Sequence, residues 1–526
     1  MHLNISKKLV WAFSILGIAG LLIFSACQKE YSNENGDSST TPANLTTKVN
    51  TAVSGFVTDE NNLPVFGAAV KSGLSSTTTD KFGYFEIKNL QLIKNAAFVS
   101  VEKAGYFKGI KTYIATNNKS AFFRIKLIPK TIAGTLDAVT GGAVTLSNGL
   151  IISLPGAGVI DATTKISYTG TVQVAASWID PTANNLNVIM PGDLRGITEG
   201  GELKRLNSYG MAAIELIGSA GQLLQVAPGK KATLTMPIPA SLLSGSPNTM
   251  PLWYFNETTG LWKEEGKAIK VGNTYVGGVS HFSFWNCDVP NNYVHFDCTI
   301  VDATGTPVYG ATVKISVIGG TSWNSSAYGW TDSSGYVAGA IPNSAQLLLE
   351  VFTDYYNGCN TPVYSQPFTS TNAPVSLGNI NIGNTNTATV TGTITDCVGA
   401  PVTNGYVLMQ RGSSYYRYPV NNAGTYNFTT VLCGNNVATF IGVDAATQQQ
   451  SAGIAYTLTS GPNTVGNLSA CGISTQQFVN YNINGTNYSF VNPPDSLYHF
   501  INYNYTNGAN EINAYSIGLG LYRNVS

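Results

Sequence analysis

Outside a leader-like start, three histidines remain, His281, His295 and His499, and none stands in the His-x-x-Glu or His-Glu-x-x-His spacing that puts metal ligands on one face. The chain also lacks a Gly-x-Ser-x-Gly elbow, a Gly-x-x-x-x-Gly-Lys-Ser/Thr loop and any Cys-x-x-Cys pair, so the usual hydrolase, nucleotide, zinc-knuckle and thioredoxin-like chemistries have no footing. No metal and no cofactor is expected, and the chain reads as a non-enzyme. One stretch keeps a nucleophile beside a base: His281-Phe282-Ser283, followed by Phe284-Trp285-Asn286-Cys287. Plain alternation along a final strand accounts for the same letters, with Phe282 and Phe284 facing one way and His281, Ser283 and Trp285 the other. The second reactive set is six cysteines in the second half, Cys287, Cys298, Cys359, Cys397, Cys433 and Cys471. An even number in an exported chain predicts disulfides, here Cys298 with Cys359 and bridges joining the 384–470 stretch to its ends, with buried free thiols as the alternative.

Export is written at the start. Lys7 and Lys8 precede an apolar run over 9–23 that ends in Phe24-Ser25-Ala26-Cys27, the basic, apolar and small-residue order of a secretory signal peptide. The run is short for a membrane span. A cysteine after small residues resembles a bacterial lipobox, which implies acylation of Cys27, removal of residues 1–26 and stable anchoring by several acyl chains. Residues 27–50 are polar and read as a flexible tether. Lys29-Glu30, with Glu34 and Asp37 beyond, resembles the acidic-flanked surface-export signals of Bacteroidota lipoproteins. The implied location is the outer membrane, lipid-anchored and surface-exposed, with a periplasm-facing orientation as the alternative.

The elements that must carry these residues are set by a recurring pattern. Asp59, Pro64, Gly67, Ala68-Ala69-Val70 and Thr79-Asp80-x-x-Gly83-Tyr84-Phe85 return as Asp302, Pro307, Gly310, Ala311, Val313 and Thr331-Asp332-x-x-Gly335-Tyr336. They return more loosely as Asp396, Pro401, Gly405, Val407 and Asn422-x-Gly424-x-Tyr426. Proline fixes φ, glycine tolerates φ > 0, and a carboxylate can bond nearby backbone N–H groups, so these are turns between short antiparallel strands. The pattern resembles the carboxypeptidase regulatory-like domain, a transthyretin-like β-sandwich that accompanies a catalytic domain without itself cutting peptides. The expected division is 51–130, 291–383 and 384–470 for three such sandwiches, with 471–526 a C-terminal segment holding an Asn484-Gly485 hairpin.

Between the first and second copies lies a larger unit, 131–290, with Met190-Pro191-Gly192-Asp193-Leu194 and a hairpin bearing Trp253 and Trp262 as landmarks. It resembles the β-sandwich of cartilage-matrix proteins and, more distantly, the ZU-five-type domain. Some members of that family cleave themselves, and the resemblance would make Ser283 the nucleophile on the Phe282 carbonyl and His281 its base.

Overall, 28 basic and 28 acidic residues give a formal net charge of zero, without charge runs, which argues against a nucleic-acid partner. The fold class is all-β, tandem sandwiches behind a leader and tether. Aromatics such as Tyr293, Trp323, Tyr328, Trp330, Tyr355, Tyr356, Tyr415, Tyr416 and Tyr418 either pack cores or form a sugar-stacking platform. The function read from this is a surface protein that binds glycan or a partner protein; a ligand-free spacer is the alternative, and self-processing at Phe282-Ser283 a third.

Overall fold

In the computed structural model, the described residues are 43–320, 326–352, 360–383, 387–432, 436–474, 477–483, 486–492, 496–500 and 511–515. Cys27, Cys359, Cys433, Trp323, Tyr355, Tyr356 and the Asn484-Gly485 turn lie outside them. No side-chain placement is described from residue 473 onward. The architecture is all-β, as the turn pattern requires.

Each repeat places its opening strand at the centre of a three-strand layer. Lys48–Thr58 pairs antiparallel with Tyr84–Ile93 and parallel with Lys119–Lys126. Tyr293–Val301 does the same with Tyr336–Pro342 and Val375–Asn381, and Thr387–Thr395 with Thr425–Val431 and Gly461–Ser469. The parallel pair departs from the purely antiparallel expectation. It arises because the closing strand returns from the opposite layer of the sandwich and runs in the direction of the first. The opposite layers are built on Ala69–Ser72, Thr312–Val317 and Gly405–Arg411.

The turn chemistry is shared bond for bond. Val57, Ile300 and Ile394 donate their N–H groups to the carbonyls of Gly83, Gly335 and Gly424. Those glycines have φ of 72°, 73° and 68°. A Cβ on each would lie under 3.0 Å from the carbonyl oxygen of the same Val57, Ile300 and Ile394. Both the left-handed backbone and the close approach exclude any other residue.

The 131–290 stretch forms a sheet that closes on itself. From Leu203–Gly218 the hydrogen-bonded path runs through Thr171–Ile179, Ile132–Asp137, Gly141–Thr145, Ile151–Pro155, Ala232–Pro237, Thr274–Val279, Leu261–Val271, Thr249–Asn256 and Phe284–Asn291, and so back to Leu203–Gly218. Closure leaves this ring without a free edge. Its interior holds Val172, Val174, Leu234, Met236, Leu252 and Trp285, all buried. Outside the ring, Trp253, Phe255 and Trp262 pack with Phe107 and Ile110 of the first repeat. The tip of the tryptophan hairpin, Gly260, sits against Phe98.

Candidate functional site

The repeats meet at a junction built from their turns and rings. In each turn one carboxylate oxygen closes the local loop. Asp80 Oδ1 accepts from the N–H groups of Phe82 and Tyr84, Asp332 Oδ1 from Ser334 and Tyr336, and Asp302 Oδ1 from Thr304 and Thr306, all at 2.8 to 2.9 Å. The second oxygen of each reaches a different repeat. Tyr406 Oη donates to Asp80 Oδ2 at 3.3 Å, Ser120 Oγ to Asp332 Oδ2 at 2.7 Å and Thr429 Oγ1 to Asp302 Oδ2 at 2.9 Å. Burial raises the Asp80 carboxyl above its ordinary range against its hydrogen bonds. At Asp302 burial pushes up too, but the bonds from Thr304, Thr306 and Thr429 outweigh it and the carboxyl is lowered.

An aromatic ladder crosses the same junction. Phe56 meets Phe122 at 6.2 Å between ring centroids, Phe122 meets Tyr309 at 5.1 Å, and Tyr309 meets Tyr418 at 5.3 Å. Arg124, which stands between Phe123 and Ile125 in the strand Lys119–Lys126, points into this junction: its guanidinium lies 4.8 Å from the Tyr416 ring centroid and 5.7 Å from those of Phe56 and Phe122. Arg417 stands 4.3 Å from the Tyr84 ring centroid and 4.1 Å from that of Tyr406. Half-buried cation–π contacts of this kind contribute about 1 kcal/mol each. Trp330 Cα pairs with Phe122 across a sheet edge, joining layers of the first and second repeats. Among the aromatics weighed as a sugar platform, Trp330, Tyr416 and Tyr418 are buried here, while Tyr293, Tyr328 and Tyr415 are half-buried.

His281, Phe282 and Ser283 do not lie in a strand. They form the bend before Phe284–Asn291. The Gln225 side chain replaces the missing ladder partner: Phe282 N donates to Gln225 Oε1 at 2.6 Å, and Gln225 Nε2 donates to the Phe282 carbonyl at 3.0 Å. Strict alternation therefore fails, and Phe282 enters the same core as Trp285 while Phe284 joins another. The imidazole is wedged between Tyr254 and Trp285, with Nε2 3.9 Å from Glu265 Oε2. Burial lowers its pKa against the pull of Glu265. Ser283 Oγ donates to the Phe284 carbonyl at 3.1 Å. Proton transfer from Ser283 to His281 would require both to leave these partners.

Ser283 also lines an open groove of about 550 Å³ between the first repeat and the closed ring. Lys108 pairs there with Glu102 at 2.9 Å and Glu257 at 2.7 Å, Lys130 pairs with Glu215 at 2.9 Å, and Lys103 donates to the Phe66 carbonyl at 2.8 Å.

One of the cysteine expectations is met and one is corrected. Cys397 and Cys471, 74 residues apart, form a disulfide that clamps the third repeat at its two ends. Cys287 and Cys298 are free thiols. Cys287 is wholly buried with Sγ 3.9 Å from Met236 Sδ, and Cys298 packs among Val294, Phe296 and Ile300. The Cys298 to Cys359 bridge is thus not made, because Cys298 faces a filled apolar core. Among the described residues no cluster of three or more His, Cys, Asp or Glu could hold a metal ion. Sequence reading passed over Gln225 and the inter-repeat role of the turn aspartates, since nothing local distinguishes a carboxylate oxygen that reaches another repeat from one that does not.

No family model matches the chain. Human cartilage intermediate layer protein 2 is 34% identical over 111 residues, 20% of this chain and 9% of that protein. The mouse protein of the same name is 30% identical over 154 residues, 28% of this chain and 13% of that protein. The chain therefore spans only about a tenth of the length of these relatives. Among solved structures, the shaft pilin SpaA from Lactobacillus rhamnosus GG aligns at 12% identity and a TM-score of 0.18, covering 35% of this chain and 99% of the pilin. The Bacillus anthracis TIE protein aligns at 9% identity and a TM-score of 0.15, covering 64% of this chain and 57% of that one. Likenesses at these scores carry no weight for the role of this chain.

Proposed function

We propose that this chain is a non-catalytic scaffold of the bacterial cell envelope, anchored by lipid on Cys27 and exposed at the outer-membrane surface, whose repeats act as one body. The observation that carries the reading is the junction in which Arg124, Arg417 and the ladder from Phe56 to Tyr418 are shared by three repeats. Each ring removed from water there contributes about 1.5–3 kcal/mol, and that energy is available only while the repeats stay docked. A spacer of independent beads has no use for such a junction.

Calorimetry of the full chain tests it. The scaffold reading expects the three repeats to unfold in one transition, and Trp330→Ala to split that transition. Repeats that already melt separately in the unaltered protein would reject it. Anchoring is tested apart, by incorporation of labelled palmitate that is lost in Cys27→Ser.

The groove beside Ser283 favours a second reading, glycan binding at the surface. Its open polar walls and the half-buried Tyr106 suit a sugar's hydroxyls and apolar face. Saturable binding to an immobilised polysaccharide, weakened by Tyr106→Ala, would support it, and its absence across a broad glycan panel would remove it.

A further inference from the structure

Where the first repeat, the closed ring and the second repeat converge, a cavity of about 180 Å³ lies between them. Its walls are largely apolar and aromatic, with Phe122, Leu186, Met190, Tyr328 and Trp330 among them. A buried cation is among the lining residues. Lys111, on the strand Gly109–Tyr113, is 3% exposed, yet among the described residues its Nζ has two acceptors, the carbonyls of Asn187 at 2.6 Å and Met190 at 2.8 Å. An ammonium group carries three N–H donors, so one remains without an acceptor among the described residues.

The nearby charges do not neutralise it. Asp193 is the one carboxylate among the lining residues, and its Oδ2 is held at 2.7 Å by Nε of the fully buried Arg195. Arg205 also lines the cavity, buried, with Nη1 donating to Asn207 Oδ1 at 2.9 Å. With the single lining carboxylate committed to Arg195, the Lys111 ammonium has no counter-charge of its own among the lining residues, in a largely apolar and aromatic setting. Burial drives the Lys111 pKa down to about 7 against the pull of Asp193, the direction expected where desolvating the ammonium carries a cost. A bound anion would offset that cost.

We propose that this cavity is a binding site for a small carboxylate with an apolar body, its carboxylate on the third N–H of Lys111 and its body against Trp330 and Phe122. The volume sets the size, since a cavity of about 150 Å³ is enough to take up benzene. This site goes beyond the scaffold reading and stands or falls without it.

The test is calorimetric titration of the purified full chain with benzoate, isovalerate and the neutral isostere benzamide. The expected result is saturable binding of benzoate or isovalerate, at least about tenfold tighter than benzamide. Above neutral pH, binding takes up a proton as Lys111 is recharged, which shows as a dependence of the heat on the buffer's ionisation enthalpy. Lys111→Met, which replaces a buried charge by a thioether of similar length, is expected to fold and to lose the carboxylate preference. No binding of either carboxylate up to about 10 mM, equal binding of benzamide, or unchanged benzoate binding by Lys111→Met would each overturn the site. Should the variant fail to fold, selectivity and proton uptake in the unaltered protein still decide.

Discussion

Asp80 of the first repeat and Asp302 and Asp332 of the second close their own turns with one oxygen and reach another repeat with the other. In the third repeat Asp396 and Asn421 hold equivalent turns, on Val398 and Ala400 and on Ala423 and Thr425, and reach no other repeat among the described residues. The residue after Asp396 is instead Cys397, bonded to Cys471. One turn chemistry thus serves two purposes. Where a turn is covered by a neighbour, its spare oxygen becomes a docking group; in the third repeat, where it stays near solvent, a covalent bond ties the repeat to itself.

The largest way to break this contrast is to remove the tie. Cys397→Ser with Cys471→Ser is expected to cost about 4 kcal/mol by the loop-closure entropy of a 74-residue separation, read by denaturant titration. The junction of the first and second repeats, followed by hydrogen exchange, should keep its protection. Next come the glycines, where the repeats should behave alike: Gly83→Ala, Gly335→Ala and Gly424→Ala each cost about 2–4 kcal/mol, because the added Cβ meets a backbone carbonyl in all three. A much smaller loss at Gly424 would mean that the third turn is not built like the others.

The aspartates should then separate. Asp302→Ala and Asp332→Ala leave buried N–H and hydroxyl groups unmatched and are expected to cost about 2 kcal/mol each. Asp396→Ala, whose turn water can reach, should cost less than about 1 kcal/mol. Equal losses would show that the inter-repeat bonds contribute nothing.

The smallest effect is in pH. The lowered carboxyl of Asp302 contributes stability that is present above the ordinary carboxylate value of 3.8 and lost as pH falls through its folded value. The raised carboxyl of Asp80 does the opposite: its contribution is full below 3.8 and lost as pH rises through the folded value. Relative to the unaltered protein, Asp302→Asn should therefore gain as the solution is acidified and Asp80→Asn should gain as it is neutralised. Parallel pH curves for the two variants would contradict the different balance of burial and hydrogen bonding at the two carboxyls.

The sequence by itself determined the β class and the turns. Gly83, Gly335 and Gly424 could be read because a positive φ and a close carbonyl are local demands, met within one loop by one residue type. Cys397 and Cys471 could be named as candidates, but not their pairing or the freedom of Cys287 and Cys298, since disulfide partners are chosen by distance in space. His281-Phe282-Ser283 read as a strand because its letters alternate, and only the tertiary structure supplied Gln225, which holds Phe282 and turns the chain into a bend. Arg124 teaches the same lesson more sharply. A cation between Phe123 and Ile125 in a strand predicts a solvated face, yet its guanidinium lies over the Tyr416 ring because the third repeat packs on that face. Local turns follow from the conformational limits of single residues. Which faces are buried, which oxygens dock and where a charge is left inside follow from surfaces that meet only when distant segments have folded.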